Sequence, residues 1–178
     1  GLVIGPYADT REFTRKLLGS AIIPETVAKP LIAQLIAYLL TCDESQVDLA
    51  TDIAATVFKT FGPQLRVIGL EVVFDLLTHP LLAAQELGGH ILLNHDTKAD
   101  DLPEGIIASL IASPYEEMRV IGVQLFGQLA DETLLSQEDL IVAMTMHELP
   151  DIRRTIRPVV RRLGQASPAF AARLSVLF

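Results

Sequence analysis

The chain has one cysteine, no tryptophan, and aromatics at only 6% of its 178 residues. A lone Cys42 excludes an internal disulfide framework and any CxxC metal or redox motif, and it fits a reducing intracellular compartment such as the cytoplasm. Long hydrophobic runs are missing too. None reaches the roughly 18 residues that a transmembrane helix needs. The longest, Leu31 to Leu40, contains Gln34 and reads as a buried helix. The start shows no signal peptide, since no basic leader precedes an apolar stretch and only Leu2 to Ile4 are consecutive apolar residues. The chain begins with Gly1 rather than Met, which suggests a fragment of a longer chain.

The signatures of several enzyme classes are absent as well: GxSxG, the P-loop, HExxH and the Gly-rich dinucleotide fingerprint. Gly88-Gly89 is too short to cradle a phosphate. His90 and His95, near Asp96, are five residues apart, whereas two ligands on one helix face need a spacing of four. The acidic loop of Asp96, Asp100, Asp101 and Glu104 lacks the glycine and the ordered ligand positions of an EF-hand, so helix capping and solvation account for it. His79 and His147 read as loop or capping residues. Cys42 has no base nearby in sequence and reads as a buried thiol. No catalytic residue, metal or cofactor is assigned.

What is present is apolar and unevenly charged. Half of the residues are hydrophobic and mean hydropathy is +0.39. Residues 1–150 hold 8 Lys and Arg against 21 Asp and Glu, a net −13. Residues 151–178 hold 6 Arg against one Asp, a net +5. Five of those arginines, Arg153, Arg154, Arg157, Arg161 and Arg162, fall within ten residues. Arg154, Arg157 and Arg161 share one face at helical spacing, the arrangement of an anion site for an acidic protein, a phosphate backbone or an anionic lipid. The competing reading is that they neutralise acids of the preceding repeats.

Repeats organise the chain. In Pro114-Tyr-Glu-Glu-Met-Arg-Val-Ile-Gly-Val-Gln-Leu-Phe-Gly127, Ser113, Pro114 and Glu116 give a helix start, and Met118, Ile121, Leu125 and Phe126 line one face. Gly122 sits among them, where a missing side chain lets another helix approach. Pro6-Tyr7, Arg11 and Leu18-Gly19 repeat this run 108 residues earlier, and Arg66-Val-Ile-Gly69 repeats Arg119-Val-Ile-Gly122 53 residues earlier. A further copy, Pro150 to Gly164, follows about 34 residues downstream. Such self-similarity marks a stacked array.

About ten helices and no strand are expected: 8–19; 25–41, kinked or broken at Pro30; 45–61, stopped by Gly62-Pro63; 64–77; 80–93, weakened by Gly88-Gly89; 103–112; 114–130; 137–148; 152–163; and 168–177. Asp101-Leu-Pro-Glu104 reads as a capping box, with Ser136 to Asp139, Asp151 and Ser167-Pro168 opening later helices. Helix 45–61 should bury Val47, Ile53, Ala54, Val57, Phe58 and Phe61. Phe170, Leu174, Leu177 and Phe178 form an apolar stripe that covers the Arg helix or meets another molecule.

The pattern of a hydrophobic residue and Arg, a small residue three positions on, then Leu-Gly or similar resembles the second helix of HEAT repeats. Met118-Arg119, Gly122 and Phe126-Gly127 carry it, as do Ile152-Arg153, Ile156 and Val160; Leu65-Arg66 and Gly69; and Thr10-Arg11, Thr14 and Leu18-Gly19. Ile156 and Thr14 depart from the expected alanine, and Pro158 interrupts the last copy. The resemblance implies a single all-α domain over 1–178, a right-handed α-α superhelix of stacked antiparallel helix pairs. It implies a polar ladder of Arg11, Arg66, Arg119 and Arg153, and a noncatalytic scaffold for a protein partner that can be acidic. The alternative within the family is a nucleic-acid binder or a DNA glycosylase-like or lyase-like enzyme using the Arg-rich helix, which the acidic, Trp-free sequence disfavours. Uncovered repeat ends also raise self-association.

Overall fold

The computed structural model describes residues 3–21 and 23–177. Gly1, Leu2 and Phe178, and the side chain of Leu177, lie outside the description. The described residues form eleven helices and no strand, so the all-α class holds. They are α1 (Ala8–Ser20), α2 (Glu25–Leu39), α3 (Val47–Leu65), α4 (Leu70–Leu77), α5 (Leu82–Asn94), α6 (Ile106–Ile111), α7 (Glu116–Phe126), α8 (Asp131–Leu135), α9 (Glu138–Thr145), α10 (Pro150–Ala166) and α11 (Pro168–Leu177). Contacts divide the chain into two compact units, Gly1–Asp96 with α1–α5 and Thr97–Phe178 with α6–α11.

In the first unit, α3 is the hub and packs against α1, α2 and α5, while α4 lies on α5. The stripe Ala28, Ile32, Leu35, Ile36 and Leu39 on α2 recurs at helical spacing and is buried, as are Ile53, Val57, Phe61 and Leu65 on α3. Burying each large apolar side chain contributes about 1.5–3 kcal/mol. That packing overrides a local breaker in α2. Helix α2 runs on across Pro30 because its buried stripe extends on both sides of it. Helix α3 is interrupted at Phe61 (φ −118°, ψ 18°), next to the stop expected at Gly62-Pro63, and a short second segment runs on to Leu65. Pro63 has no N–H to give the carbonyl four residues back, which is where a helix bends. The buried set expected for α3 is corrected at its surface positions, since Val47 and Phe58 are exposed. A capping box does occur in this unit, but at Asp43, whose carboxylate accepts from Ser45 N–H while Gln46 reaches back to the Asp43 N–H.

In the second unit, α10 is the hub, packed against α7, α9 and α11. Its core gathers Val123, Phe126, Leu134, Ile141, Met144, Ile152, Ile156, Val159, Leu163 and Phe170. Helix α10 continues through Pro158 and Gly164 to Ala166, held by its buried face. Phe170 is fully buried and Leu174 packs against this core, so that part of the apolar stripe is internal cover. Helices α6 and α7 cross closely at Gly122, where an added Cβ would lie 2.6 Å from Ile111 N and 2.9 Å from Leu110 C.

Several expected caps are corrected. Helix α6 starts after Gly105, which adopts a left-handed conformation (φ 87°). No side chain caps it, so the capping box expected at Asp101-Leu-Pro-Glu104 does not form; the neighbouring Asp100 instead accepts from Ala130 N–H and Thr133 Oγ1 at the start of α8. Asp151 is no cap either, because it lies inside the first turn of α10 and is buried. Ser167 Oγ does accept from Phe170 N–H.

One turn geometry recurs at positions 34 residues apart. His79 Nδ1, Ser113 Oγ and His147 Nδ1 each accept the backbone N–H two residues on. Six residues after each, a side chain returns to the turn's carbonyl: Gln85 Nε2 to His79 O, Arg119 Nη1 to Ser113 O, and Arg153 Nη1 to His147 O. Arg11 Nη1 does the same to Gly5 O. Gln85, not Arg66, therefore occupies the equivalent place in the first unit. Arg66 sits just past the end of α3, exposed, and pairs with Asp96 at 2.7 Å, while Gly69 precedes α4. The match of Arg66-Val-Ile-Gly69 to Arg119-Val-Ile-Gly122 is one of letters, not of backbone.

Candidate binding groove

The arginines of the repeated turn have structural work. Arg11 Nε donates to Asp52 Oδ2 at 2.8 Å, and Arg119 Nε donates to Asp151 Oδ2 at 2.7 Å. Burial opposes ionisation of Asp151, but the Arg119 hydrogen bond, backbone N–H donors and the guanidinium charge outweigh it and hold the carboxyl below its usual range. Arg153 turns both ways to carbonyls, to His147 O and Glu148 O, and so belongs to this structural set rather than to an open surface.

The other four arginines of the run, Arg154, Arg157, Arg161 and Arg162, are exposed. Arg154 pairs with Glu116 at 3.1 Å, and Arg162 pairs with Asp131 at 3.1 Å while donating to Gly127 O. Arg157 and Arg161 are exposed and have no partner among the described residues. The five arginines do not act as one cluster, because a helix carries them on different faces.

Between α7 and α10 runs an open groove of about 570 Å³. Its lining comprises Val120, Val123 and Gln124 from α7, Gly127 and Gln128 just past its end, and Arg154, Thr155, Pro158, Val159 and Arg162 from α10. Gly127 sets its depth at one end, since an added Cβ would meet Val159 Cγ2 at 2.7 Å. Pro158 gives no N–H to the Arg154 carbonyl, which loses its usual helical donor beside the groove. The lining offers an apolar floor, amides and two guanidinium groups, with no carboxylate, histidine or cysteine among its described residues. That set can hold negative charge and apolar side chains together.

Sequence reasoning found the arginines but missed the groove, because its two walls come from helices about 34 residues apart. It also missed a mostly apolar groove of about 390 Å³ in the first unit, between Ile32, Ile36 and Leu40 on one side and Val67, Ile68 and Val72 on the other. The only signal for it was the small pair Ala33 and Ala37 on the exposed side of the Leu31–Leu40 run.

The remaining sequence candidates scatter. His90 is exposed with its ring 5.3 Å from that of Phe58, and His95 Nε2 donates to Ile68 O. No group of three or more metal-ligating side chains occurs among the described residues. Cys42 is buried, and burial, helped by the charge of Asp43, pushes its thiol up. No helix among the described residues is long and apolar enough to cross a membrane. Compared with protein-family models, curated proteins and solved structures, the chain matches none.

Proposed function

We propose that the chain is a noncatalytic protein-interaction module, a HEAT-like array whose helix pairs stack in a right-handed superhelix, and that its partner docks on the arginine-bearing side of α10. The observation that carries this reading is the pair Arg157 and Arg161, exposed and unpartnered on α10, the helix whose Arg154 and Arg162 line an open groove, in a chain whose first 150 residues are net acidic. Unpaired guanidinium groups next to apolar surface are the composition of a protein-binding patch. The recurring turns and their arginines support the array.

The test is capture from native lysate with the wild-type chain and with an Arg154→Glu/Arg157→Glu/Arg161→Glu variant of equal helicity by circular dichroism. A partner retained by wild type and lost by the variant is expected. Identical partners would remove α10 as the binding element. Duplex and single-stranded DNA serve as contrasting ligands, and salt-sensitive binding to them would replace this reading with the nucleic-acid one.

A further inference from the structure

Resting on that reading, the geometry points to the class of segment the α7–α10 groove takes: an extended acidic peptide with apolar side chains between two carboxylates. We infer that Glu116 and Asp131 occupy the arginines in its absence and are displaced when it binds.

The argument starts from the two rim arginines. Arg154 and Arg162 are eight residues apart on one helix, about 12 Å along its axis. An extended chain advances about 3.3 Å per residue, so acidic residues four apart reach both guanidinium groups. The side chain midway between them, on the same face of the extended chain, then lies over Val120, Val123, Pro158 and Val159, the apolar floor. At about 100° per residue, Arg161 and Arg157 stand about 20° and 60° from Arg154 round α10, on the side away from Arg162. They extend the positive rim outward, where a further carboxylate of the same segment would sit.

The rim arginines are already paired, and the pairing is weak. The side chains of Arg154 and Glu116 are 68% and 58% exposed, and those of Arg162 and Asp131 are both 46% exposed. Exposed pairs of this kind contribute between nothing and about 1 kcal/mol, so an incoming carboxylate exchanges for them at little cost. Until then the two acids keep each guanidinium oriented at the groove mouth. Glu116 and Asp131 are thus internal competitors, standing in for the partner's carboxylates.

The experiment uses fluorescence anisotropy with a labelled Glu-Leu-Val-Leu-Glu peptide against the full chain at low salt. Three results are expected. Replacing both peptide glutamates by Gln abolishes binding. A peptide lengthened by one glutamate at the Arg154 end binds severalfold tighter, and Arg157→Ser/Arg161→Ser, which removes side chains with no partner and leaves the fold untouched, abolishes that gain. Glu116→Gln/Asp131→Asn tightens it by about threefold or more, the outcome peculiar to displacement. A peptide that fails to bind, or one whose affinity falls in the Glu116→Gln/Asp131→Asn variant, overturns the inference. So does a DNA duplex that outcompetes the peptide. If the peptide fails while the triple Glu variant still loses its lysate partner, the acidic-segment assignment falls and the interaction module stands; if both fail, both fall.

Discussion

Arg119 and Asp151, 32 residues apart in sequence, meet at 2.7 Å with the carboxylate side chain only 4% exposed. The same guanidinium also closes the turn before its own helix by donating to Ser113 O and Pro114 O. One side chain thus fixes the start of α7 and ties it to the start of α10. Arg119→Met leaves a buried charge alone and is expected to destabilise the chain by about 3–5 kcal/mol, read as a lower urea midpoint.

The pair also sets an acid dependence. The folded Asp151 carboxyl ionises below its usual range, so its contribution is complete above the unfolded value near pH 4. It is lost as pH falls through the lower folded value. Urea titrations between pH 5 and pH 2 should show a steeper loss in wild type than in Asp151→Asn, which has no such proton to take up.

Two helical glycines should respond in opposite directions to alanine. At Gly122 the new Cβ meets backbone atoms of Leu110 and Ile111 that cannot yield without moving α6. A cost of about 1–3 kcal/mol is expected. At Gly164, inside α10, nothing lies within 4 Å, and the helix-propensity gain of up to about 1 kcal/mol is unopposed. Thermal midpoints of the two variants should move to opposite sides of wild type.

The arginine run should divide by stability. Arg153→Ala removes charged hydrogen bonds to two turn carbonyls and should cost about 1.5–3 kcal/mol. Arg157→Ala removes no partner and should stay within about 0.5 kcal/mol of wild type. Equal losses at both positions would refute the division.

The turn histidines are tested by their serine counterpart. Ser113 accepts from the same N–H that His79 does in its own turn. His79→Ser should therefore retain most of the stability, while His79→Ala, which leaves the Leu81 N–H without that acceptor, should cost about 1 kcal/mol. Amide exchange at Leu81 reports the difference directly.

Much of this was legible before any coordinates. Apolar residues at three- and four-residue spacing named the all-α class, and Gly122 in an apolar face announced the close crossing with α6. Ser167-Pro168 marked the start of α11, and the crowding of arginines after residue 150 marked α10. Each is a local signal, carried by residues within a turn or two of one another. Misreadings arose where a local signal met packing. Pro30 looks like a break, yet the buried stripe carries α2 across it, whereas the stop read at Gly62-Pro63 does coincide with an interruption of α3, at Phe61. Arg66-Val-Ile-Gly69 copies the letters of α7, but the chain around it leaves the helix, and Gln85 takes the place that an arginine holds elsewhere.

By itself the sequence determined the all-α class, the position of most helices and the charge of α10, because propensity and periodicity act along the chain over a few residues. Only the tertiary structure decided which arginines are engaged and which are open. It paired Arg11 with Asp52 and Arg119 with Asp151, occupied Arg154 and Arg162 with Glu116 and Asp131, and left Arg157 and Arg161 to solvent. Those pairings join residues separated by tens of positions, and so does the groove between α7 and α10. Such relationships come from how helix faces pack, and no spacing along a single helix encodes them.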